Sequence, residues 1–424
     1  MGNLSRRQLL IIGGIAGAAL VLLLIIFVGL KPSKSGAAKL IIWGTFENPE
    51  LFSDLIKPFT QQTKAEITYV PKDPKTYEQE LINALAAGAG PDIFFFENTW
   101  LLKHYNKIQP APKSLFTVSA VEQSYPQVVV RDFTSADNVY AIPLFLDSLA
   151  LFYNQDLLDQ AAIPFPPKTL EELVEMAPKL TKFNERRDIL YSGFALGSAA
   201  NVSHATDILS LLMLQAGSNI ISNDFTITLH QTNAGAQALN FYTQFAKSKN
   251  QVYSWDEKMG NSIEEFARGK AAIAIGYASD IPIIRSISPY FNFKIALMPQ
   301  PETSQLRKDY ASYYGLAVNK QSRYKQAAWE LISFLSQNET AESFARKVNL
   351  PPAKRILLDR FKNQPIMDIF SRQAYTALSW PQADPIIIDQ IFKSAISQSL
   401  AETQPLDMII SSVANQLDKL YKQL

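Results

Sequence analysis

The chain has no cysteine and only three histidines in 424 residues. Lacking thiols, it can carry neither a disulfide framework, a thiolate nucleophile, nor a Cys-ligated zinc or iron–sulfur centre. The lipid anchor that bacterial export attaches to an N-terminal cysteine is excluded with them. His104, His204 and His230 are scattered, which leaves little for a His-based metal site or a His general base. A charge surplus is missing too, with 40 Lys+Arg against 39 Asp+Glu. No nucleic-acid partner is therefore expected, since that would favour a clustered basic excess. Local catalytic signatures are also absent. There is no HExxH and no GxSxG, and Gly269-Lys270 is followed by Ala271, which cannot coordinate magnesium as a phosphate-loop hydroxyl does.

What the sequence does have is one long apolar run. Leu9–Leu30 contains 22 residues without a charge, flanked by Arg6 and Arg7 before and Lys31, Lys34 and Lys39 after. As a helix it spans about 33 Å, the thickness of a bilayer core. The expected reading is an uncleaved transmembrane anchor, with residues 1–8 cytoplasmic and 31–38 a short tether. The alternative is a cleaved signal peptide, for which Ser35-Gly36-Ala37-Ala38 offers small residues. Either reading places the 39–424 portion on the extracytoplasmic side. Five of the 40 basic residues lie at or before Lys39 and no acidic residue precedes Glu47, so the part beyond Lys39 carries 35 basic against 39 acidic residues, a net of −4.

Lys39–Trp43, Glu66–Val70 and Pro91–Phe96 read as strands, the last apolar enough to be covered on both faces. Between them, Phe52, Leu55, Ile56 and Phe59, then Tyr77, Leu81, Ile82 and Leu85, form helical stripes. Asn48-Pro49 supplies a cap and a first-turn proline, and Gly88 and Gly90 stop the second helix. This alternation implies right-handed crossovers and a parallel α/β sheet, with ligand expected beyond the carboxyl ends of its strands. The loops Gly44–Asn48 and Glu97–Trp100 are then the places to look. Further helices are expected at about 170–183, 203–216, 233–248, 262–268, 323–336 and 386–398. Thr169-Leu-Glu-Glu172 and Ser262-Ile-Glu-Glu265 both fit a capping box. Strand-like runs recur at Leu149–Tyr153, Ala271–Gly276, Phe293–Met298 and Gly315–Val318. No linker is long enough to separate independent domains, which suggests intertwined lobes with several crossings.

An ordered set of segments resembles the family 1 extracellular solute-binding proteins of ABC importers. Leu40-Ile-Ile-Trp-Gly44 is similar to that family's first strand, and Ala87-Gly-Ala-Gly-Pro-Asp-Ile93 to its third-strand entry. Tyr140-Ala-Ile-Pro143, Asp147 and Leu151-Phe-Tyr-Asn154 with Asp156-Leu-Leu158 are similar to the crossing into the second lobe. Phe266-Ala-Arg-Gly-Lys-Ala-Ala272 through Gly276, and Lys325–Phe334, complete the series. The resemblance implies an α/β, two-lobed periplasmic-binding-protein-like fold of type II, each lobe a sheet flanked by helices. It places 39–146 with 298–338 in lobe 1 and 147–297 with 339–424 in lobe 2. It further implies a monomeric, non-enzymatic protein without cofactor, which captures a polar small molecule, a sugar above all, in the interlobe cleft. ABC permease subunits would be its partners. The alternatives are a membrane-tethered glycoside hydrolase, a ligand sensor without import and a ferric-ion-binding protein.

Sugars present an apolar face and a rim of hydroxyls, which aromatic rings and carboxylates or amides match. Thr45 and Glu47 in the first loop are candidates on that chemistry, although Glu47 also suits a solvated place near a helix N-terminus. Glu97, Asn98 and Trp100 match ligand-contacting positions of the family, and Trp100 equally suits a core anchor opening the next helix. Asp147 sits where the family often places an acid, or it caps a turn. Trp380 matches a tryptophan that stacks on sugar. Ser279 stands where many members have a further tryptophan, with Tyr277 as its substitute, so a long oligosaccharide is not implied. Tyr313 and Tyr314 form the pair that raises the iron alternative, and Tyr314 is otherwise a cleft residue. Trp255, Tyr153 and Trp329 are expected to pack.

Overall fold

A computed structural model describes residues 37–46 and 48–423. The apolar run Leu9–Leu30 and Glu47 lie outside the described residues. Among those described, no helix is long and apolar enough to cross a membrane.

In chain order the elements that position the cleft are strands β1 (Lys39–Gly44), β2 (Glu66–Pro71), β3 (Ile93–Glu97), β4 (Ile108–Gln109), β5 (Ala141–Pro143), β6 (Ala150–Asn154), β7 (Ile273–Gly276), β8 (Phe293–Ala296) and β9 (Tyr314–Asn319). The helices are α1 (Glu50–Thr63), α2 (Tyr77–Ala86), α3 (Ala205–Gln215), α4 (Asn338–Val348) and α5 (Pro385–Leu400). The first sheet is six-stranded, in the order β2-β1-β3-β9-β4, with β5 also paired to β9. Its β2-β1-β3 part is parallel, as the strand–helix alternation predicts. β9 arrives from more than 200 residues downstream and runs antiparallel to β3, pairing Tyr314 with Glu97 and Gly315 with Phe96. Phe94, Phe95 and Phe96 are at most 2% exposed, because both faces of β3 are covered. Phe95 meets Phe46, Phe52 and Tyr314 on one side, while Phe96 meets Trp100 and Phe133.

The second sheet is antiparallel throughout, in the order β7-β6-β8. Every residue of β6 and β7 is buried. Beside it, α3 buries ten of its eleven residues, a core helix rather than a surface one. The Thr169 capping box forms as expected, with Glu172 N–H donating to Thr169 Oγ1 at 3.1 Å. The second box does not. Asn261, one residue earlier, caps helix Ser262–Ala267 by accepting from Ile263 and Glu264 N–H. Ser262 instead accepts from Ser203 N–H at 2.9 Å.

The packing of α4 departs from the expected lobe boundary. This helix, placed by resemblance in lobe 2, lies against α1 of the first body. Phe344 enters an aromatic cluster with Phe46, Phe52 and Phe145, and Lys347 pairs with Asp54 at 2.9 Å. Burying that ring outweighs the proximity of the helix to later chain, a contest no local pattern reveals. Helices at Arg355–Phe361, Met367–Gln373 and Leu406–Tyr421 were also not anticipated. The first two are seven residues each, too short for a clear period.

Three stretches pass between the bodies, and they pair with one another. Ser148 bridges Ala311, and Asp309-Tyr310 runs parallel to Ala377-Leu378. Gln373, fully buried, ties all three. Its Nε2 donates to Ser148 Oγ (3.0 Å) and the Leu149 carbonyl (2.8 Å), and its Oε1 accepts from Met298 N–H (2.7 Å) and Arg307 Nη2 (3.1 Å). Asp309 lies beside it, also fully buried, held by Arg307 through both carboxylate oxygens (2.8 Å each) and by Thr376 Oγ1 at 2.6 Å. Gln373→Leu keeps the volume but orphans a buried N–H and carbonyl. It is expected to cost about 2–4 kcal/mol of stability by urea denaturation, and a change under about 0.5 kcal/mol would show that the knot is replaceable by packing.

Candidate functional site

The carboxyl end of β3 opens directly into the space between the two bodies. Glu97, Asn98 and Thr99 leave the strand there and face Thr206 and Asp207 from the first turn of α3, together with Gln382, Pro385 and Asp389 around the start of α5. Tyr310, Ala311 and Ser312 of a crossing stretch form the back wall of this cavity of about 160 Å³. Two larger compartments of about 420 Å³ each adjoin it, sharing residues with it. One lies along Ala199–Asp207 in the second body, sharing Thr206, Asp207 and Asp389 with the first cavity. The other lies between Leu101, Tyr105 and Tyr140 of the first body and Ile221–Phe225 of the second, sharing Asn98 and Thr99.

Local sequence explains why these groups sit still. A Cβ on Gly44 would lie 2.7 Å from Tyr69 Oη; the missing side chain lets Tyr69 cross the end of β1, where its hydroxyl meets Phe46 N–H and C=O at 3.0 Å each. Asp384 caps α5, accepting from Ile386 and Ile387 N–H, with Pro385 at the first helical position. The same carboxylate receives Lys103 of the first body at 2.8 Å, and Lys103 also reaches Glu78 at 2.9 Å. This ion pair spans the two bodies at the rim. His204 precedes α3 in the left-handed conformation (φ 58°), its Nε2 2.9 Å from Asp280.

The electrostatics are dominated by acids out of water. Burial, with Asp207 and then Glu78 nearby, pushes the Glu97 carboxyl up to about 8. Burial also raises Asp207, against the pull of His204 and a hydrogen bond from Tyr277 Oη at 2.8 Å. Asp132 is pushed up to about 6 by burial, although Asn98 Nδ2 (2.9 Å), Tyr313 Oη (2.8 Å) and Ser379 Oγ all donate to it. Burial would lower His204, but Asp280, Asp207 and Asp147 around it raise it instead.

The structure separates the residues singled out from sequence. Glu97 and Asn98 line the 160 Å³ cavity, and Asn98 also binds the Tyr313 backbone N–H at 3.3 Å. Thr45 is half-buried in its loop. Trp100 is 2% exposed among Tyr77, Phe96, His104 and Tyr314, as a core anchor at the start of its short helix. Asp147 is 2% exposed, and its oxygens accept from Ser148, Ala278 and Ser279 N–H at 2.9 Å each, which fixes the turn after β7. Burial pushes that carboxyl up to about 6. Ser279 is exposed in the same turn, while Tyr277 is buried against Asp207 and His204. Tyr313 and Tyr314 point to opposite faces, one onto Phe133 and Asp132, the other onto Phe95, so the pair does not converge on one ion.

Trp380 is 2% exposed, stacked on Phe392, its indole N–H donating to Ser210 at 3.2 Å, and it lines none of these three compartments. Trp255, Tyr153 and Trp329 are buried, as expected of packing residues. The polar cavity residues not found from sequence are Thr99, Thr206, Asp207, Tyr310, Ser312, Gln382 and Asp389. A carboxylate in a helix first turn was the one available signal, at Asp207, and it is common on any helix.

Two outcomes follow from this placement. Trp380→Ala should destabilise the protein by about 3–5 kcal/mol, as for other buried tryptophans, read from the denaturation midpoint. Glu97 binds its proton more tightly folded (about 8) than at its ordinary value of 4.5. Its contribution is therefore complete below about pH 4.5 and is lost as pH rises through about 8. The ligand-free protein should lose stability between about pH 5 and pH 8.5, read as a falling melting temperature, and Glu97→Gln should flatten that fall. An unchanged slope in the variant would remove Glu97 as its source.

Residues 54–367 match the family model for bacterial extracellular solute-binding proteins. A binding protein of Brucella abortus is 21% identical over 280 residues, covering 65% of this chain and 66% of its own length, so the match spans just under two thirds of that relative. The galactooligosaccharide-binding protein of Bacillus subtilis is 20% identical over 342 residues, covering 77% of this chain and 75% of the relative. An ABC transporter solute-binding protein of Thermotoga lettingae, solved with alpha-D-tagatose, superposes with a TM-score of 0.73 at 21% identity, over 91% of this chain and 100% of that one. This establishes the two-lobed α/β binding-protein fold, and the chain belongs to the bacterial extracellular solute-binding protein family.

Proposed function

We propose that this protein captures a sugar-like polar solute between its two lobes outside the cytoplasm and delivers it to the permease of an ABC importer. The observation that carries this reading is the 160 Å³ cavity, lined by hydrogen-bonding groups from both lobes and backed by a crossing stretch. A solute seated there touches both lobes only when they are together, so its binding favours the closed arrangement by that difference. The ligand-contact set is Glu97, Asn98, Thr99, Asp207, Tyr310, Ser312, Gln382 and Asp389. The hinge is the paired crossings around Gln373, with lobe 1 built on the first sheet plus α4 and lobe 2 on the second sheet plus α3 and α5. Relatives named for galactooligosaccharide binding and solved with tagatose support a sugar. The apolar segment 9–30, read as an anchor, keeps the monomeric binding portion at the membrane, where a permease can receive the solute.

The protein binds without turnover on this reading. A thermal-shift screen of the full chain against sugars, polyols and amino acids should raise the melting temperature with a sugar, by about 2.7 kcal/mol of stabilisation at a hundredfold excess over Kd. The same sugar should compact the protein in solution scattering and be recovered intact after incubation. Product formation would establish a hydrolase instead, and identical scattering profiles with and without ligand would refute closure.

A further inference from the structure

One charged side chain reaches from lobe 1 to lobe 2 at the rim of the cleft. Lys103 stands on the short helix Leu101–His104, just after the loop that carries Glu97 and Asn98. Its ammonium lies 2.9 Å from Glu78 Oε1 on lobe 1 and 2.8 Å from Asp384 Oδ2 on lobe 2. Among the salt bridges of the described residues, Lys103–Asp384 is the one that joins the two cleft faces. Neither residue lines the 160 Å³ cavity, although Pro385, next to Asp384, does.

Each half of the bridge is fixed within its own lobe. His104 Nε2 lies 3.0 Å from the same Glu78 oxygen, and Lys107 Nζ lies 3.1 Å from His104 Nδ1. Burial lowers the proton affinity of His104, so its neutral ring donates to Glu78 and accepts from Lys107. Glu78 is thus positioned, and in turn holds Lys103, by residues of lobe 1. On lobe 2, Asp384 Oδ1 accepts from Ile386 and Ile387 N–H at 3.1 and 3.2 Å as the cap of α5, which leaves Oδ2 for Lys103. Burial opposes the charges of Lys103 and Glu78, but the partners around them keep Lys103 above and Glu78 below their ordinary values. The side chains of Lys103, Glu78 and Asp384 are 24%, 14% and 21% exposed, so water and salt screen them less than a pair on an open surface.

Separating the lobes breaks Lys103–Asp384 while leaving Lys103–Glu78 and the α5 cap intact. The free energy of this one pair therefore enters the difference between the closed and open arrangements. We propose that Lys103 is an electrostatic latch, biasing the unliganded lobes toward closure by bridging Glu78 and Asp384 across the rim. A solute then meets a protein in which the binding-competent arrangement is more populated, and its apparent affinity rises with that fraction. This inference rests on the lobe-closure reading above and deepens it.

Because the chain has no cysteine, Asn106→Cys on lobe 1 and Asn223→Cys on lobe 2, both exposed, take a pair of spin labels without background. Double electron–electron resonance on the full chain in detergent, at about pH 7.5 and about 50 mM salt, reads the ratio of closed to open separations. That ratio should fall at least about threefold in Lys103→Met and in Asp384→Asn, the second of which keeps a helix cap while losing the charge. Lys103→Arg should stay within about twofold of the parent. Salt at about 0.5 M should lower the parent's ratio and move Lys103→Met less. Melting curves confirm that each variant is folded. A ratio unchanged in either neutral variant, or a fall that Lys103→Arg shares in full, overturns the latch. Closure itself stands in that case if galactose, tagatose or maltose draws the labels together. A separation that no substitution, salt or sugar moves overturns lobe closure and the inference with it.

Discussion

The fold depends on a small polar knot where the chain passes between its lobes. Gln373 and Asp309 are fully buried, and each has its hydrogen-bonding atoms engaged by groups from different crossings. A buried amide and carboxylate are tolerable only when satisfied in this way, so the geometry of the three crossings is specified together or not at all. Tyr310 and Ser312, which back the cavity, belong to one of those crossings. The paired crossings and the back wall of the cavity are therefore one piece of structure.

The same low-dielectric environment governs the acids. Asp132 and Asp147 are fully engaged, one by three side chains and the other by three backbone amides. They serve as supports, holding the loops after β3 and β7. Glu97 and Asp207 face the cavity, and burial raises their affinity for protons too, offset at Asp207 by His204 and the Tyr277 hydroxyl.

Much of the architecture is legible in the sequence because it rests on local periodicity. β3 reads as a doubly covered strand from Ile93 through Phe96, and the parallel β2-β1-β3 unit follows from the alternation of elements. The loop after β3 could be named in advance, since a parallel sheet exposes the carboxyl ends of its strands. Trp380 shows the limit of such reasoning. A tryptophan before a proline reads the same whether it faces a cleft or Phe392, and only the packing of α5 places it inside. Asp147 is a parallel case, because the turn 131 residues downstream that claims its oxygens leaves no trace near it in the sequence.

By itself the sequence determined the excluded chemistries, the strand and helix periods, the set of segments shared with a family and the placing of Glu97 and Asn98 after a strand. These are properties of composition and of contacts close along the chain. Tertiary structure alone decided that β9 joins the first sheet antiparallel, that α4 sits on α1, and that Asp207, Tyr310 and Asp389 meet Glu97 across the cleft. Those pairings join residues from roughly 110 to 290 positions apart. They are set by which distant apolar faces and polar atoms satisfy one another in three dimensions, a global balance of burial that short-range pattern does not encode.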